Sequence, residues 1–395
     1  MKTALISLLL VLAFPIYSCS QQETRIIVGA EQMNRYLPLL KEKRVGILAN
    51  HSAVINNTHM VDTLLSLGIN VKFIFSPEHG FRGDNFYGDE DPKTGTPIVS
   101  IYGGEKVAPP DSILNQLDVV VYDIQDVGLR FYTYLAAMYH MMEACARNNV
   151  PLIILDRPNP NGRYVDGPII DLENHYNRYV GCIPIPVVHG MTLGEMAGMI
   201  NGQKWLNNGV QCNITVITCQ NYTHQSLYEL PIKPSPNLPN NRSIYLYPAL
   251  CPFEGTPISM GRRSDYPFQV YGHPDFTNRD FSFVVNPNTN ANNSGQAQEP
   301  VTYYGVDLRT YPPNETVFEE GFTMKYVIDA YNDLNNSSNI GEAFFRPNFE
   351  RLVGVSYVRT MILEGYSADQ IKACWKDDVE QFKKDRAPYL LYPLE

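Results

Sequence analysis

The chain lacks the sequence motifs that mark several common kinds of α/β enzyme. Its 395 residues contain no GxGxxG or GxxxxGKS/T loop for nucleotide phosphates and no GxSxG serine elbow. They also contain no CxxC pair and no HExxH sequence, which are common zinc-binding patterns. We therefore expect no cofactor and no metal, and chemistry that is carried by carboxylates and imidazoles.

Clustered positive charge is also absent. The net charge is −10, and no run of lysines or arginines is long enough to neutralise a nucleic-acid backbone. We therefore expect no nucleic-acid partner, and an anionic ligand has to be bound locally by a few arginines.

The apolar run at the start of the chain is too short to cross a membrane as a helix. It covers residues 4–16 after Lys2, which is the pattern of a secretory signal. Ser18 before Cys19 resembles a bacterial lipobox, in which Cys19 becomes the lipidated first residue, whereas cleavage nearby without a lipid is the alternative. We expect an exported protein, periplasmic or anchored in the outer membrane, that contacts the membrane only through this lipid.

The cysteines that follow Cys19 show no disulfide spacing. Cys212 and Cys219 flank a strand-like segment that would hold them roughly 23 Å apart, far beyond bonding distance. We expect buried free thiols.

Strand-like and helix-like segments alternate in the first half of the chain. Apolar, β-branched runs predict strands at 44–49, 71–75, 118–122, 151–155 and 183–188. Amphipathic spacing predicts helices at 60–67, 133–148 and 193–206. This alternation predicts an α/β fold with a parallel sheet that is covered on both faces.

A second α/β segment follows in the last third of the chain. We predict strands near 301–308 and 353–358, and helices at 323–334 and 368–384. The predicted division is a leader at 1–22, a Rossmann-like catalytic domain at 23–230 and a smaller C-terminal α/β domain at 231–395 that includes cleft loops at 231–276.

Polar side chains follow each predicted strand of the first domain. The segments are 50–52, 77–79, 123–126, 156–159 and 189–192. Parallel strands bring their carboxyl ends to one edge of a sheet, where open α/β sheets bind ligands. A single aspartate in this position often only caps a helix, but five such segments predict one shared crevice.

Glu78, in the segment SPEHGFRG at 76–83, is the main candidate for chemistry. Apolar neighbours such as Phe75 and Phe81 favour its protonated form, whereas Arg82 favours its ionised form. Proton donor and ionised stabiliser are therefore both open roles for Glu78, and His79 is the neighbour that influences its state.

Eight segments, in order along the chain, resemble the motif series of a known family. They are GILAN at 46–50, SPEHGFRG at 76–83, YDIQDVG at 122–128, RFYTY at 130–134, LDRPNP at 155–160, HGMT at 189–192, PSPN at 234–237 and EGT at 254–256. The family is that of the exo-acting β-N-acetylmuramidases, glycoside hydrolase family 171. The similarity extends from about Ile26 to the terminal YLLY at 389–392, which is nearly all of the mature chain.

The resemblance implies a Rossmann-like domain, a smaller C-terminal domain and a cleft between them. It also implies a glycoside hydrolase that releases N-acetylmuramic acid from the non-reducing ends of peptidoglycan fragments, with muramyl oligosaccharides as its partners. Glu78 matches the glutamate understood to be catalytic in this family. Our main hypothesis is that Glu78 protonates the glycosidic oxygen, with His79 beside it.

The lactyl carboxylate of N-acetylmuramic acid suits an arginine, because a guanidinium binds a carboxylate through two parallel hydrogen bonds. Three arginines stand in the matching segments, Arg262 stands in the motif loop that follows EGT, and polar neighbours accompany all four. The residues that we expect to bind substrate are Asn50, Arg82, Asp123, Gln125, Arg130, Tyr132, Asp156, Arg157, Asn159, His189, Glu254 and Arg262.

The sequence offers several candidates for the second catalytic group. Most glycosidases pair two carboxylates, about 5 Å apart if retaining and about 6.5 to 9.5 Å apart if inverting. Asp126, Asp156, Asp166 and Glu254 are candidates, and we predict Asp166 as catalytic although the family usually has Glu there. A substrate acetamido group acting as the nucleophile would remove the need for a second catalytic carboxylate.

Another departure lies in ISMGRR at 258–263, where Met260 and Arg263 replace the Glu and Gly that we expect in relatives. This change predicts a different substrate preference. It also favours an alternative function, a lipid-anchored protein that binds muramyl glycans without cleaving them.

A metal hydrolase is a further alternative, with ligands drawn from His51, His79, His189 and Asp156. Histidines at strand ends more often make hydrogen bonds than bind metal, so we favour the metal-free hydrolase.

Overall fold

The computed structural model of the protein describes residues 25–83, 88–287 and 299–395. The predicted leader and its lipidation candidate Cys19 lie outside these ranges. No helix within them combines the length and the apolar character that crossing a bilayer requires.

The described residues form strands and helices in alternation through the first domain. The strands are β1 (Arg44–Ala49), β2 (Val54–Ile55), β3 (Thr58–His59), β4 (Asn70–Ser76), β5 (Ile98–Ser100), β6 (Val119–Asp123), β7 (Leu152–Leu155), β8 (Ile214–Ile217), β9 (Val270–His273), β10 (Ser282–Val285) and β11 (Val301–Asp307). The α-helices are α1 (Met33–Leu40), α2 (Met60–Ser66), α3 (Asp111–Leu114), α4 (Thr133–Arg147), α5 (Leu172–His175), α6 (Leu193–Gly202), α7 (Asn241–Leu250), α8 (Asn314–Glu320), α9 (Lys325–Ser338), α10 (Pro347–Val353), α11 (Tyr357–Leu363), α12 (Ala368–Ala373) and α13 (Lys376–Arg386). Short 3-10 turns lie at Gly29–Glu31, Asn207–Gly209, Cys251–Gly255, Gly341–Phe344 and Ala387–Tyr389.

The first domain is built on a six-stranded sheet with the order β5-β4-β1-β6-β7-β8. All of its strand pairs are parallel. Counted along the chain, these strands have the order 3-2-1-4-5-6 of doubly wound nucleotide-binding folds, whose ligand crevice opens where the order reverses. The predicted Rossmann-like α/β fold is confirmed, and its crevice lies between the ends of β1 and β6.

Both faces of the sheet are buried, because successive side chains of a strand point to opposite faces. On one face, Tyr36 of α1 and Leu64 of α2 pack with Ile47 and the other inward residues of that face. On the opposite face, α4 and α6 pack with Val120 and its neighbours and continue into the core of the C-terminal domain. This explains why the strands are near-continuous apolar runs.

One predicted strand is wrong. Residues 183–188 are buried but form no strand of the sheet; Val188 makes only isolated bridges to Leu129 and Asp166. Pro184 and Pro186 have no amide hydrogen to donate, so the segment is unsuited to a central strand. The edge position is taken instead by β8, within the segment between Cys212 and Cys219.

The C-terminal domain contains a three-stranded antiparallel sheet with the order β10-β11-β9, surrounded by helices. The predicted strand at 301–308 is confirmed as β11, but the predicted strand at 353–358 is wrong. There, Gly354 has a φ of 93° and ends α10, and α11 begins three residues later. The predicted final helix is divided into α12 and α13.

The C-terminal tail returns to the first domain. Tyr392 Oη donates to Asp156 Oδ2 at 2.6 Å, and the Leu391 amide donates to Glu195 Oε1 at 2.8 Å. Asp156 and Glu195 are almost fully buried, and burial raises the pKa of Asp156 to about 6. The tail therefore supplies hydrogen-bond donors to carboxylates in the interior of the other domain.

The described cysteines are free thiols. Five of them are buried as expected, whereas Cys374 is exposed.

Candidate active site

Glu78 lies in the loop that follows β4, at the carboxyl edge of the sheet. Tyr102 Oη donates to its Oε1 at 2.6 Å, and Thr133 Oγ1 donates to its Oε2 at 2.6 Å. Tyr102 follows β5, and Thr133 is the first residue of α4. Loops after three different strands therefore meet at one half-buried carboxylate, and both of its oxygens accept a hydroxyl hydrogen bond.

The loop around Glu78 has an unusual backbone. His79 has a φ of 68°, in the left-handed region that few residues other than glycine adopt, and Gly80 and Gly83 have φ values of 82° and 77°. A Cβ atom on Gly83 would lie 2.6 Å from Cγ of His51. The glycines thus let the loop fold tightly against the end of β1.

His51 connects this loop with the long segment that follows residue 230. Its Nε2 lies 2.8 Å from the backbone oxygen of Lys233. Burial lowers the pKa of His51, and the nearby His79 contributes in the same direction. A neutral His51 can donate from Nε2 to that carbonyl and so hold the segment over the sheet edge.

Glu254 and Arg262 approach the site from the C-terminal domain. Arg262 Nη2 donates to Glu254 Oε1 at 2.7 Å, and the two side chains are 42% and 24% exposed. Burial raises the pKa of Glu254, the Arg262 guanidinium opposes the increase, and the negative charge of Glu78 adds to it. Glu254 and Glu78 are thus electrostatically coupled, although they belong to different domains.

Aromatic rings join the two domains beside this pair. The ring of Tyr132, next to Thr133 in the chain, contacts the ring of Tyr247 in α7 with centroids 6.1 Å apart. Tyr132 Oη donates to the backbone oxygen of Pro234 at 3.1 Å. Tyr132 is therefore placed beside the site, with its hydroxyl already used to hold the 231–239 segment.

Three of the four motif arginines are occupied by the protein itself. Arg82 binds Asp62 and Asp91, with closest N···O distances of 2.9 and 2.7 Å. Within the described residues, the hydrogen bonds of its guanidinium go to these two carboxylates and none goes to Glu78.

The other two occupied arginines are buried. Arg130 donates to the backbone oxygen of Val180. It also donates to the backbone oxygens of Leu352 and Val353, at the end of α10. Burial lowers its pKa to about 10. Arg157 makes a two-point ion pair with Asp123 at 2.5 and 2.9 Å. Both guanidiniums join loops of the protein, which leaves Arg262 as the most exposed of the four.

Buried amides fix the backbone of the crevice. Ser52 donates through its amide and its hydroxyl to Asn50 Oδ1, and its Oγ accepts from the Gln125 amide at 2.9 Å, which links the ends of β1 and β6. Asn159 Nδ2 donates to the Met191 carbonyl at 2.9 Å, and His189 Nδ1 accepts from the Met191 amide at 3.2 Å. Burial lowers the pKa of His189 to about 3.

Two buried carboxylates of the crevice are protonated more readily than usual. Asp126 accepts from the Gly128 amide at 2.6 Å through Oδ2, while its buried Oδ1 has no partner among the described residues. Burial raises its pKa to about 7. Asp156 accepts from Thr192 Oγ1 and the Gly194 amide at the start of α6, in addition to the tail.

Asp166 lies against the C-terminal helices. Its carboxylate accepts from Trp375 Nε1 at 2.8 Å and from the Phe322 amide at 3.0 Å, and it pairs with Lys372 at 2.7 Å. The structure thus brings Asp166 into contact with α12 and the loops beside it, and it places Tyr102 and Thr133 at Glu78. The catalytic role of Asp166 stays a prediction.

Sequence reasoning missed the two hydroxyl partners of Glu78. Thr133 stands in the matched RFYTY segment and begins the predicted helix at 133–148, and neither pattern indicates what its hydroxyl binds. Tyr102 follows β5, whose three residues are too few for a clear alternation pattern. The contact between Glu254 and the site depends on how the two domains pack, which no local pattern contains.

Other possible sites were compared with this one. A cleft of 1260 Å³, lined by Asn56, Arg157, Arg163 and Tyr228 among others, opens elsewhere on the first domain and does not include Glu78. Within the described ranges, no group of three or more His, Cys, Asp or Glu side chains is arranged to hold a metal ion.

Comparisons with known proteins give consistent matches over most of the chain. Residues 45–242 match the family model described as "Exo-beta-N-acetylmuramidase NamZ, N-terminal", and residues 245–392 match the C-terminal model of the same name. The chain is 35% identical over 380 residues to the peptidoglycan β-N-acetylmuramidase NamZ of Bacillus subtilis (strain 168), covering 90% of this chain and 89% of that protein.

Two crystal structures of DUF1343 family proteins from Bacteroides fragilis NCTC 9343 have the same fold. One is 50% identical with a TM-score of 0.84 and covers 94% of this chain and 99% of its own. The other is 26% identical with a TM-score of 0.77 and covers 93% of this chain and 99% of its own.

Proposed function

Since this chain belongs to the NamZ family of exo-β-N-acetylmuramidases and is a glycoside hydrolase, we propose that it releases N-acetylmuramic acid from the non-reducing ends of peptidoglycan fragments, with Glu78 as the main catalytic carboxylate. The family supplies the substrate class. The assignment of the carboxylate is supported by the geometry of the site.

The observation that supports Glu78 most directly is its pair of hydroxyl partners. Tyr102 and Thr133 come from separate loops, and each donates to one oxygen of Glu78. Such a carboxylate is fixed in orientation at the carboxyl edge of the sheet, where this fold class binds its ligands. Orientation of this kind is what a reaction at a sugar C1 atom requires.

Recognition of the lactyl carboxylate falls to Arg262 among the four motif arginines. Its side chain is 42% exposed, compared with 26% for Arg82 and 5% for Arg157. Within the described residues, Arg262 donates only through Nη2, to Glu254. The rest of its guanidinium remains for a ligand. Sugars that carry the lactyl group are therefore favoured over those that lack it.

Substitution of Glu78 by Gln tests the proposal. The variant keeps the size of the side chain and loses the charge, so release of N-acetylmuramic acid from a chromogenic muramide should fall about 1,000-fold or more. The matched control is Glu105→Gln, because Glu105 lies on the loop of Tyr102 but is exposed and pairs only with Arg178 among the described residues. The control should keep wild-type kcat.

The same variant separates hydrolysis from simple binding. Calorimetry with a muramyl disaccharide should show that Glu78→Gln still binds, while product analysis of the same sample shows no cleavage. Wild-type turnover by Glu78→Gln would remove Glu78 from the mechanism. Binding without any cleavage by the wild-type protein would favour a non-catalytic glycan binder instead.

We also propose that the chain is exported and attached to a membrane through a lipid on Cys19. The apolar run at 4–16 and the Ser18-Cys19 pair support this proposal. Metabolic labelling with a radioactive fatty acid should mark the wild-type chain and leave Cys19→Ala unlabelled. Equal labelling of the two chains would contradict the anchor.

A further inference from the structure

The two carboxylates at the site have different surroundings. Glu78 accepts hydroxyl hydrogen bonds at 2.6 Å on both oxygens. An ionised carboxylate is acceptor-only, so two donors match its charged form, whereas a protonated Glu78 would have to donate to one of the same hydroxyls. Both oxygens of Glu78 are therefore already used as hydrogen-bond acceptors.

Glu254 has the opposite arrangement. Its Oε1 accepts from Arg262 Nη2 at 2.7 Å, and its Oε2 accepts no hydrogen bond within the described residues. The side chain is 24% exposed. A proton on Oε2 would leave the bond between Oε1 and the guanidinium intact.

Burial and the charge of Glu78 favour the protonated form of Glu254. The pKa of Glu254 is raised by burial, and the ionised Glu78 raises it further, although Arg262 opposes both effects. Because Oε2 of Glu254 accepts no hydrogen bond within the described residues, a proton on that oxygen displaces none.

The packing between the domains keeps the pair together. Thr133 donates a hydrogen bond to Glu78. The residue before it, Tyr132, has a ring that contacts the ring of Tyr247. One turn after Tyr247, α7 leads into the Cys251–Gly255 turn that carries Glu254. The aromatic contact therefore connects the segment that carries Thr133 with the helix that leads to Glu254.

We propose that Glu254 is the general acid of the reaction and that Glu78 is its ionised partner. This proposal rests on the proposed function and reverses the proton-donor role first expected for Glu78. The Glu254 proton moves to the glycosidic oxygen as the bond between that oxygen and C1 breaks. The oxygen of a water molecule then bonds to C1 and keeps one of its protons. The other water proton returns to the carboxylate pair, which regains its original charge.

The dependence on the leaving group tests this assignment, because a good leaving group departs without a proton. With a β-linked N-acetylmuramyl-N-acetylglucosamine disaccharide, Glu254→Gln should lose about 100- to 10,000-fold in kcat. With dinitrophenyl N-acetyl-β-muramide it should stay within about tenfold of wild type. Glu78→Gln should lose activity on both substrates.

The matched control is Glu350→Gln. Glu350 also pairs with an arginine, Arg359, at 2.7 Å, and its side chain is 23% exposed, but it lies at α10. This control should be unchanged on both substrates. Glu254→Asp, which keeps an acid one methylene shorter, should recover part of the disaccharide activity, and circular dichroism should show that all the variants are folded.

The pH profile gives a second readout. Wild-type kcat on the disaccharide should fall as the pH rises through the raised pKa of Glu254, because the acid is lost. Glu254→Gln acting on the dinitrophenyl substrate should lack this alkaline fall.

Two results would overturn the assignment while leaving the proposed function intact. One is an equal loss by folded Glu254→Gln on both substrates, and the other is wild-type turnover of the disaccharide by that variant. If the wild-type protein cleaves neither substrate, the proposed function itself fails, and the acid role fails with it.

Discussion

At the scale of single residues, the same side-chain type has been given different tasks by its surroundings. Three arginines bind carboxylates or carbonyls of the protein, namely Arg82, Arg130 and Arg157. The side chain of Arg262 is half-exposed. Sequence alone ranks these four arginines equally. Their surroundings rank them differently, because Arg262, although it is paired with Glu254, has the most exposed side chain of the four and keeps donors that a ligand can reach.

Arg262→Gln should therefore weaken the preference for sugars with a lactyl group. Loss of a charge-assisted hydrogen bond of about 1.5 to 3 kcal/mol should raise KM for a chromogenic muramide about 10- to 100-fold. The corresponding N-acetylglucosaminide lacks the carboxylate, so its kinetics should change much less.

The control for this variant is an arginine outside the 258–263 loop. Arg351→Gln removes the same charge from an exposed side chain of α10, so it should leave the ratio between the two substrates unchanged. An equal rise of KM for both substrates in Arg262→Gln would indicate general damage rather than carboxylate recognition.

At the scale of elements, the strands with both faces buried were predicted well and the short or irregular ones were not. β1, β4, β6 and β7 were expected within about one residue of their observed ends, because burial on two faces makes a strand apolar throughout. The segment 183–188 is also rich in apolar residues, but Pro184 and Pro186 lack the amide hydrogens that a central strand needs. β5 has three residues, too few for any periodicity.

Among the site residues, Glu78 could be located from its position after a strand. Its coupling to Glu254 could not, since the loop that carries Glu254 reaches Glu78 only through the packing of α7 against the RFYTY segment. Local sequence records where a strand ends, whereas contacts between domains depend on surfaces that are far apart in the chain.

Asp166 shows how an element can be held by one carboxylate. Asp166 lies in the segment after β7. Its carboxylate pairs with Lys372 of α12 and accepts hydrogen bonds from Trp375 and from the Phe322 amide. Asp166→Asn should lower the free energy of unfolding by about 1 to 3 kcal/mol, because a buried, hydrogen-bonded carboxylate loses its charge. It should leave kcat/KM within about twofold, as measured by denaturant unfolding and by turnover of the muramide.

The neighbouring Asp369→Asn, on the exposed side of α12, is the control and should change neither quantity. A folded Asp166→Asn chain with normal stability and a large loss of kcat would instead support the catalytic role first predicted for Asp166.

At the scale of the whole molecule, buried carboxylates make stability depend on pH. The folded Asp126 carboxyl keeps its proton up to a pKa of about 7, whereas its ordinary value is 3.8. Between these values the folded state binds more protons than the unfolded state. The contribution to stability is therefore complete below the ordinary pKa and is lost as the pH rises through about 7.

Asp126→Asn should remove this dependence. As the pH rises from about 4 to 8, the unfolding free energy of the wild type should fall relative to that of the variant by about 2 to 4 kcal/mol. Comparing the two chains cancels the opposite slope from His59 and His189, whose pKa values are lowered by burial to about 4 and 3. Urea unfolding at several pH values measures the difference.

For this series, Asp265→Asn is the control, because Asp265 is exposed. Its stability curve should run parallel to that of the wild type. A constant difference between the wild type and Asp126→Asn would show that Asp126 is ionised in the folded protein throughout the range.

The return of the tail has a consequence for how the polypeptide is made. The ribosome completes the last strand of the sheet at Ile217, long before it reaches Leu391 and Tyr392. Until those residues emerge, Asp156 and Glu195 lack donors that they use in the finished protein. In a prematurely terminated chain, these buried carboxylates of the first domain therefore lack some of their hydrogen-bond donors. We expect quality-control proteases to degrade such a chain more readily than the full-length protein.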